Sequence, residues 1–135
     1  MTAIGEAFQR LRSGAIESGA FERCLLESVL YFPCWDSAEE PARGWRRTED
    51  SDTFNPLIAT REGIPVLPIF DDPNQIAPWL ARRGDSSLAN QLSFVTMHGR
   101  ALLNSVADPV HVMIVLSDGS MIEFDRQQLD RLRNA

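Results

Sequence analysis

The thiols Cys24 and Cys34, the imidazoles His98 and His111 and the adjacent carboxylates Asp71 and Asp72 are the side chains of this 135-residue chain best suited to chemistry. A metal centre needs several such groups at close spacing. The histidines stand thirteen apart and the cysteines sixty or more residues upstream, so no metal site is expected. Cys34 with His98 or His111 would make a nucleophile–base pair if folding brought them within hydrogen-bond reach. Cys34 sits in Tyr31-Phe32-Pro33-Cys34-Trp35, an aromatic setting that disfavours a thiolate, and a buried structural thiol is the simpler expectation. A thiol-dependent enzyme or sulfur carrier using Cys34 stands as the alternative. Asp72 precedes Pro73 and reads as a helix cap rather than half of an acid pair. Nucleotide-binding and hydrolase fingerprints are absent, and the chain has no lysine, which removes Schiff-base and P-loop chemistry. The expectation is a protein without catalytic residues, cofactor or metal.

Recognition chemistry is better represented. Trp35, Trp45 and Phe54 lie among acids and Arg43, Arg46 and Arg47 in a stretch without periodicity, and aromatic and arginine side chains anchor interfaces most often. Trp35 and Phe54 are expected to pack beneath this loop. Trp45, flanked by Gly44 and Arg46-Arg47, is expected to face solvent, which makes Trp45, Arg46 and Arg47 the candidate binding surface. Arg100, at a helix start, is the candidate for an anion site in a small-ligand-binding alternative.

These groups depend on a mixed set of elements. Ile4, Phe8, Leu11 and Ala15 share one helix face, with Thr2 as cap, Glu6–Arg10 as a surface pair and Gly14 as the stop. Phe21, Cys24, Leu25 and Ser28 line a second helix capped by Ser18. Val29–Trp35 reads as a strand, in which Pro33 calls for an edge position, a bulge or an early end. Residues 36–56 form a long acidic loop. Leu57–Thr60 and Pro65–Phe70 make a hairpin about Arg61-Glu62-Gly63. Asp72 caps a helix with Ile76, Trp79 and Leu80 inward, near enough to its start to tolerate Pro78. Strand Leu92–Met97 and helix Arg100–Ala107 follow, the helix with Leu102, Leu103 and Val106 inward. Strands Val110–Leu116 and Met121–Phe124 flank the Asp118–Gly119 turn, and Asp125 caps a last helix carrying Leu129 and Leu132. No regular βαβ repeat appears. The expected fold is a single α+β domain over 1–135: one mixed, mostly antiparallel sheet with helices against it and an N-terminal helical pair.

Charge and termini narrow the partners. Thirteen basic residues, all arginine, against nineteen acids give a net charge of −6, which opposes nucleic-acid binding and favours a basic protein partner. The longest apolar runs are about seven residues, far short of the roughly twenty a membrane helix needs. The N-terminus lacks the basic start and apolar run of a signal peptide, so a cytoplasmic location is expected.

Phe21-Glu-Arg-Cys-Leu-Leu-Glu-Ser-Val-Leu-Tyr-Phe-Pro33 resembles the helix-to-strand segment of the SseB-like N-terminal domain, the enhanced serine sensitivity family. Ile64-Pro-Val-Leu-Pro-Ile-Phe70, followed by Asp71-Asp72-Pro73 and a helix carrying Trp79, is similar to a second element of that family. His98-Gly-Arg-Ala-Leu-Leu103 is similar to a third. The likeness runs from about residue 4 to residue 133. Leu116-Ser-Asp-Gly-Ser120 departs from the Asn-Pro-Gly-like turn of many members, and their second domain has no counterpart, which suggests a freestanding version. The resemblance implies an α+β bacterial protein without catalysis. Size and charge then suggest an adaptor, or an immunity-type protein that neutralises a toxin.

Overall fold

The computed structural model describes residues 2–35, 56–107 and 110–133. Helix α1 (Ala3–Arg12) begins where Thr2 Oγ1 accepts from the Gly5 N–H, the expected cap. It stops at Arg12, so Ala15 lies beyond it and is exposed, and Gly14 takes φ 81° in the turn that follows. Helix α2 (Ser18–Glu27) corrects one expectation. Glu17, with φ −87° and ψ 163°, occupies the cap without a side-chain hydrogen bond, and Ser18 is already helical. Burial of Phe21, Leu25 and Leu26 fixes this helix in place of a polar cap.

Six strands follow among the described residues: β1 (Val29–Trp35), β2 (Ala59–Arg61), β3 (Ile64–Phe70), β4 (Leu92–His98), β5 (His111–Val115) and β6 (Met121–Phe124). They form one sheet in the order β4-β1-β3-β5-β6, with β2 also paired to β3. The β3–β5 pair is parallel and the others are antiparallel, so the sheet is mixed and mostly antiparallel. Helices α3 (Ile76–Arg82, entered by a 3-10 turn at Pro73–Gln75), α4 (Gly99–Ser105) and α5 (Arg126–Arg133) complete an α+β fold with its N-terminal helical pair. No helix among the described residues is long and apolar enough to cross a membrane.

Period-two alternation divides the core. Leu30, Phe32, Leu67, Ile69, Val112 and Ile114 face α1, α2, α4 and α5 in the larger cluster. Their neighbours Val66, Phe70, Met113 and Val115 face the other way and pack on Ile76, Trp79 and Leu80 of α3. The central parallel strands are buried on both faces, which is why Ile64–Phe70 reads as a continuous apolar run.

Pro33 does not make β1 an edge strand. β1 pairs with β4 along its whole length and meets β3 only at Tyr31–Phe70. The Pro33 carbonyl accepts from the Leu57 N–H at 2.9 Å, so the missing Pro33 N–H falls on that same side, away from β4. A proline is tolerated inside the sheet because the ladder there is already reduced to a short bridge, Cys34–Pro56. Arg61 belongs to β2, which leaves Glu62 (φ 53°) and Gly63 (φ 83°) as the turn, both at the positive φ a tight hairpin requires. At the β5–β6 turn the Ser120 N–H, and then its hydroxyl, hold the Asp118 carboxyl below its ordinary value. Asp125 and Gln128 cap α5 reciprocally, each side-chain oxygen accepting from the other's N–H at 2.9 Å.

Asp71 fastens α1 to the carboxyl ends of the central strands. It is 5% exposed, and its Oδ2 accepts from Thr2 Oγ1 and, at 3.2 Å, from Ser117 Oγ. Asp71→Ala would remove the acceptor that the two hydroxyls share. The expected loss of stability is about 1–2 kcal/mol, two hydrogen bonds to a carboxylate offset in part by relief of the buried Asp71 Oδ1, which has no partner among the described residues. Urea denaturation would measure it as a lower midpoint at unchanged slope.

Candidate functional site

The residues singled out by sequence do not assemble into one place. Trp45, Arg46 and Arg47, with Arg43 and Phe54, lie outside the described residues. Trp35 packs half-buried against the smaller cluster, and the loop it is expected to underlie lies outside the described residues. Arg100 is exposed on α4, a helix of seven residues whose first N–H, that of Gly99, is taken by the Ser28 carbonyl at 2.8 Å.

Cys34 is 5% exposed and belongs to the larger, helix-covered cluster. His111 alternates with Val112 and so shares the opposite face with Met113. His98 pairs with Val29 at the far end of β1, while Cys34 pairs with Ser93. The fold therefore does not bring the thiol to either imidazole. Iodoacetamide near neutral pH is expected to label half-exposed Cys24 first and Cys34 only at the rate of unfolding, as read by peptide mapping. Labelling of Cys34 as fast as Cys24 would contradict this burial. Among the described residues no three His, Cys, Asp or Glu side chains are grouped to hold a metal ion.

A different site emerges on the α3 face. The alternation that points Ala59, Val66 and Met113 away from the larger core makes them the floor of a cleft, to which Met121 of β6 adds. Trp79 of α3 forms one wall, and Arg61, Arg82 and Arg83 stand at the rim. The volume is about 340 Å³. Met121 is 59% exposed, so part of the apolar floor remains in water.

The three arginines are not equivalent. Arg61 reaches across the sheet to Glu123 Oε2 at 2.6 Å, above His111, whose Nδ1 lies 4.0 Å from the same oxygen. Arg83 lies 4.8 Å over the Trp79 ring and 3.3 Å from Asp85. Arg82 makes no ion pair among the described residues. Both ion pairs are solvated and contribute little to stability. Their consequence is local charge: the two carboxylates balance Arg61 and Arg83, and among the described residues Arg82 is left as the uncompensated cation of the rim, beside an apolar floor.

Sequence reasoning missed this cluster. By sequence Arg82-Arg83 is a short basic pair next to Asp85, at the end of a helix whose inward face alone carries a signal, and Arg61 belongs to the expected turn. The usable signal was the period-two placement of 59/61, 64/66, 111/113 and 121/123, but it converges only once β2, β3, β5 and β6 are known to lie side by side. No family model, curated protein or solved structure matches the chain.

Proposed function

We propose that the chain is a non-catalytic protein-interaction module, an adaptor or a toxin-neutralising immunity-type protein, that engages its partner through the arginine-rimmed cleft. The motif likeness to SseB-like N-terminal domains, and a cytoplasmic setting, belong to this reading. The observation that carries it is the cleft: an apolar floor partly uncovered at Met121 and a guanidinium rim together are the composition of an interface centre. The separation of Cys34 from both histidines supports a binding role over thiol chemistry.

The net charge of −6 favours a basic partner, but the rim favours an acidic one. Local charge decides contact, because salt screens charges beyond about 8 Å under physiological conditions. The whole-chain charge then shapes only the approach.

Affinity capture from the protein's own cells tests the reading. Tagged wild type is compared with Arg82→Glu/Arg83→Glu and with Trp45→Ala/Arg46→Ala/Arg47→Ala. The cleft variant is expected to lose at least about tenfold of the captured partner, the scale of one charge-assisted contact. Loss in the triple variant alone would move the interface to the 36–56 segment. Absence of any specific partner would overturn the reading.

A further inference from the structure

The cleft's chemistry narrows the occupant, on the reading that it is a protein-interaction site. We infer that it takes a short segment of a partner protein in which a bulky apolar side chain stands next to a single carboxylate. The apolar requirement comes from the floor. Val66 and Met113 are buried beneath it and Met121 is largely uncovered, so an incoming apolar group removes surface from water that the fold itself leaves wet. Two methionines make that floor adaptable, able to close around an aromatic or a branched aliphatic group.

The single carboxylate comes from the rim. Glu123 already faces Arg61 and Asp85 already faces Arg83, so a second or third negative charge would have to compete with a carboxylate in place. Of the three rim arginines, Arg82 alone makes no ion pair with the described residues, and a guanidinium presents paired donors that match one carboxylate. A basic segment would set its cation against Arg82 and leave that charge unanswered. The volume, about 340 Å³, sits at the small end of the roughly 300–1,000 Å³ range of ligand sites. That suits one or two side chains of an extended segment, with the remainder of the partner outside.

Chemical-shift mapping on the isotopically labelled full chain tests this with defined probes. The first is a tetrapeptide blocked at both ends, Ser-Phe-Glu-Ser. Its controls are the same peptide with Gln for Glu, the same with Ala for Phe, and free 3-phenylpropanoate. Saturable shifts are expected at the Ala59, Val66 and Met113 amides and the Trp79 indole N–H. Binding is expected to be about tenfold weaker for either control peptide and for wild-type peptide with Arg82→Gln, the size of one lost charge-assisted hydrogen bond or one lost apolar anchor. The Arg82→Gln spectrum away from the cleft serves as its folding control.

Equal binding of the Gln or Ala peptide overturns the inference, as does an absence of shifts in the cleft. Tighter binding of 3-phenylpropanoate than of the peptide also overturns it, in favour of a small organic acid. Cellular capture that depends on Arg82 and Arg83, with no peptide bound, would leave the interaction module standing and remove this occupant alone.

Discussion

Gly99→Ala is expected to destabilise the protein by about 3 kcal/mol, at the upper end of what overpacking a filled core costs. A Cβ at this position would stand 2.0 Å from the Leu25 carbonyl oxygen, 3.0 Å from the Leu25 carbonyl carbon and 3.2 Å from Leu26 Cα. All three are backbone atoms of α2, so no rotamer change can make room. The alternative is to move α4 away, and α4 is held there by Leu102 and Leu103 in the larger core and by the Gly99 N–H on the Ser28 carbonyl. Retreat would also pull on the β1–β4 ladder, whose last pair is Val29–His98. Gly14 supplies the contrast. It has nothing within 4 Å of its Cβ position but sits at φ 81°, so Gly14→Ala should lose about 1 kcal/mol from left-handed strain alone. Thermal melts of the two variants discriminate. For a chain of this size Gly99→Ala should fall by roughly 10 °C and Gly14→Ala by a few degrees. Equal shifts would mean that α2 and α4 are not in backbone contact.

The difference between these glycines also marks what a sequence can disclose. Gly14 follows a periodic helix and is legible as its stop, because the signal is local. Gly99 follows a strand and precedes Arg100-Ala-Leu-Leu103, and nothing local reveals that another helix crosses at its α-carbon. The same division runs through the fold. Thr2, Asp72 and Asp125 were readable as caps, and Glu62-Gly63 and Asp118-Gly119 as turns, since each satisfies its own neighbours. Ser18 misled because Glu17 starts the helix without a cap, tertiary burial of Phe21, Leu25 and Leu26 supplying what the cap would have. Pro33 misled because strand order, not the strand, decides whether a missing N–H matters. The cleft was least legible of all. Its rim combines the end of β2 with the end of α3, and its floor draws on four strands, so no window of sequence contains it.

Trp79→Ala is expected to cost about 3–5 kcal/mol, the range for deleting a buried large aromatic side chain. Trp79 is 3% exposed and meets Phe70 edge-to-face, with centroids 5.6 Å apart and planes at 78°. It is the largest of the three side chains, with Ile76 and Leu80, that α3 buries against the sheet. A helix of seven residues cannot persist by itself. Pro78 is accepted only because it falls in the first turn, where its N–H would have had no intrahelical partner. The position of α3, and with it Arg82, Arg83 and one wall of the cleft, thus rests largely on this indole. Hydrogen exchange should show the α3 amides losing protection by more than the global destabilisation accounts for, while Leu25 and Leu102 in the other layer track the global loss alone. Trp79→Phe keeps an aromatic edge against Phe70 and should recover more than half of the lost stability. If it does, and partner capture returns with it, the indole acts by holding α3 in place. If stability returns and capture does not, the indole, with Arg83 lying over its ring, is itself part of the contact surface. Either result ties the smaller core to binding. An α3 that stays protected in Trp79→Ala would separate them, and would require the helix to be anchored by Ile76 and Leu80.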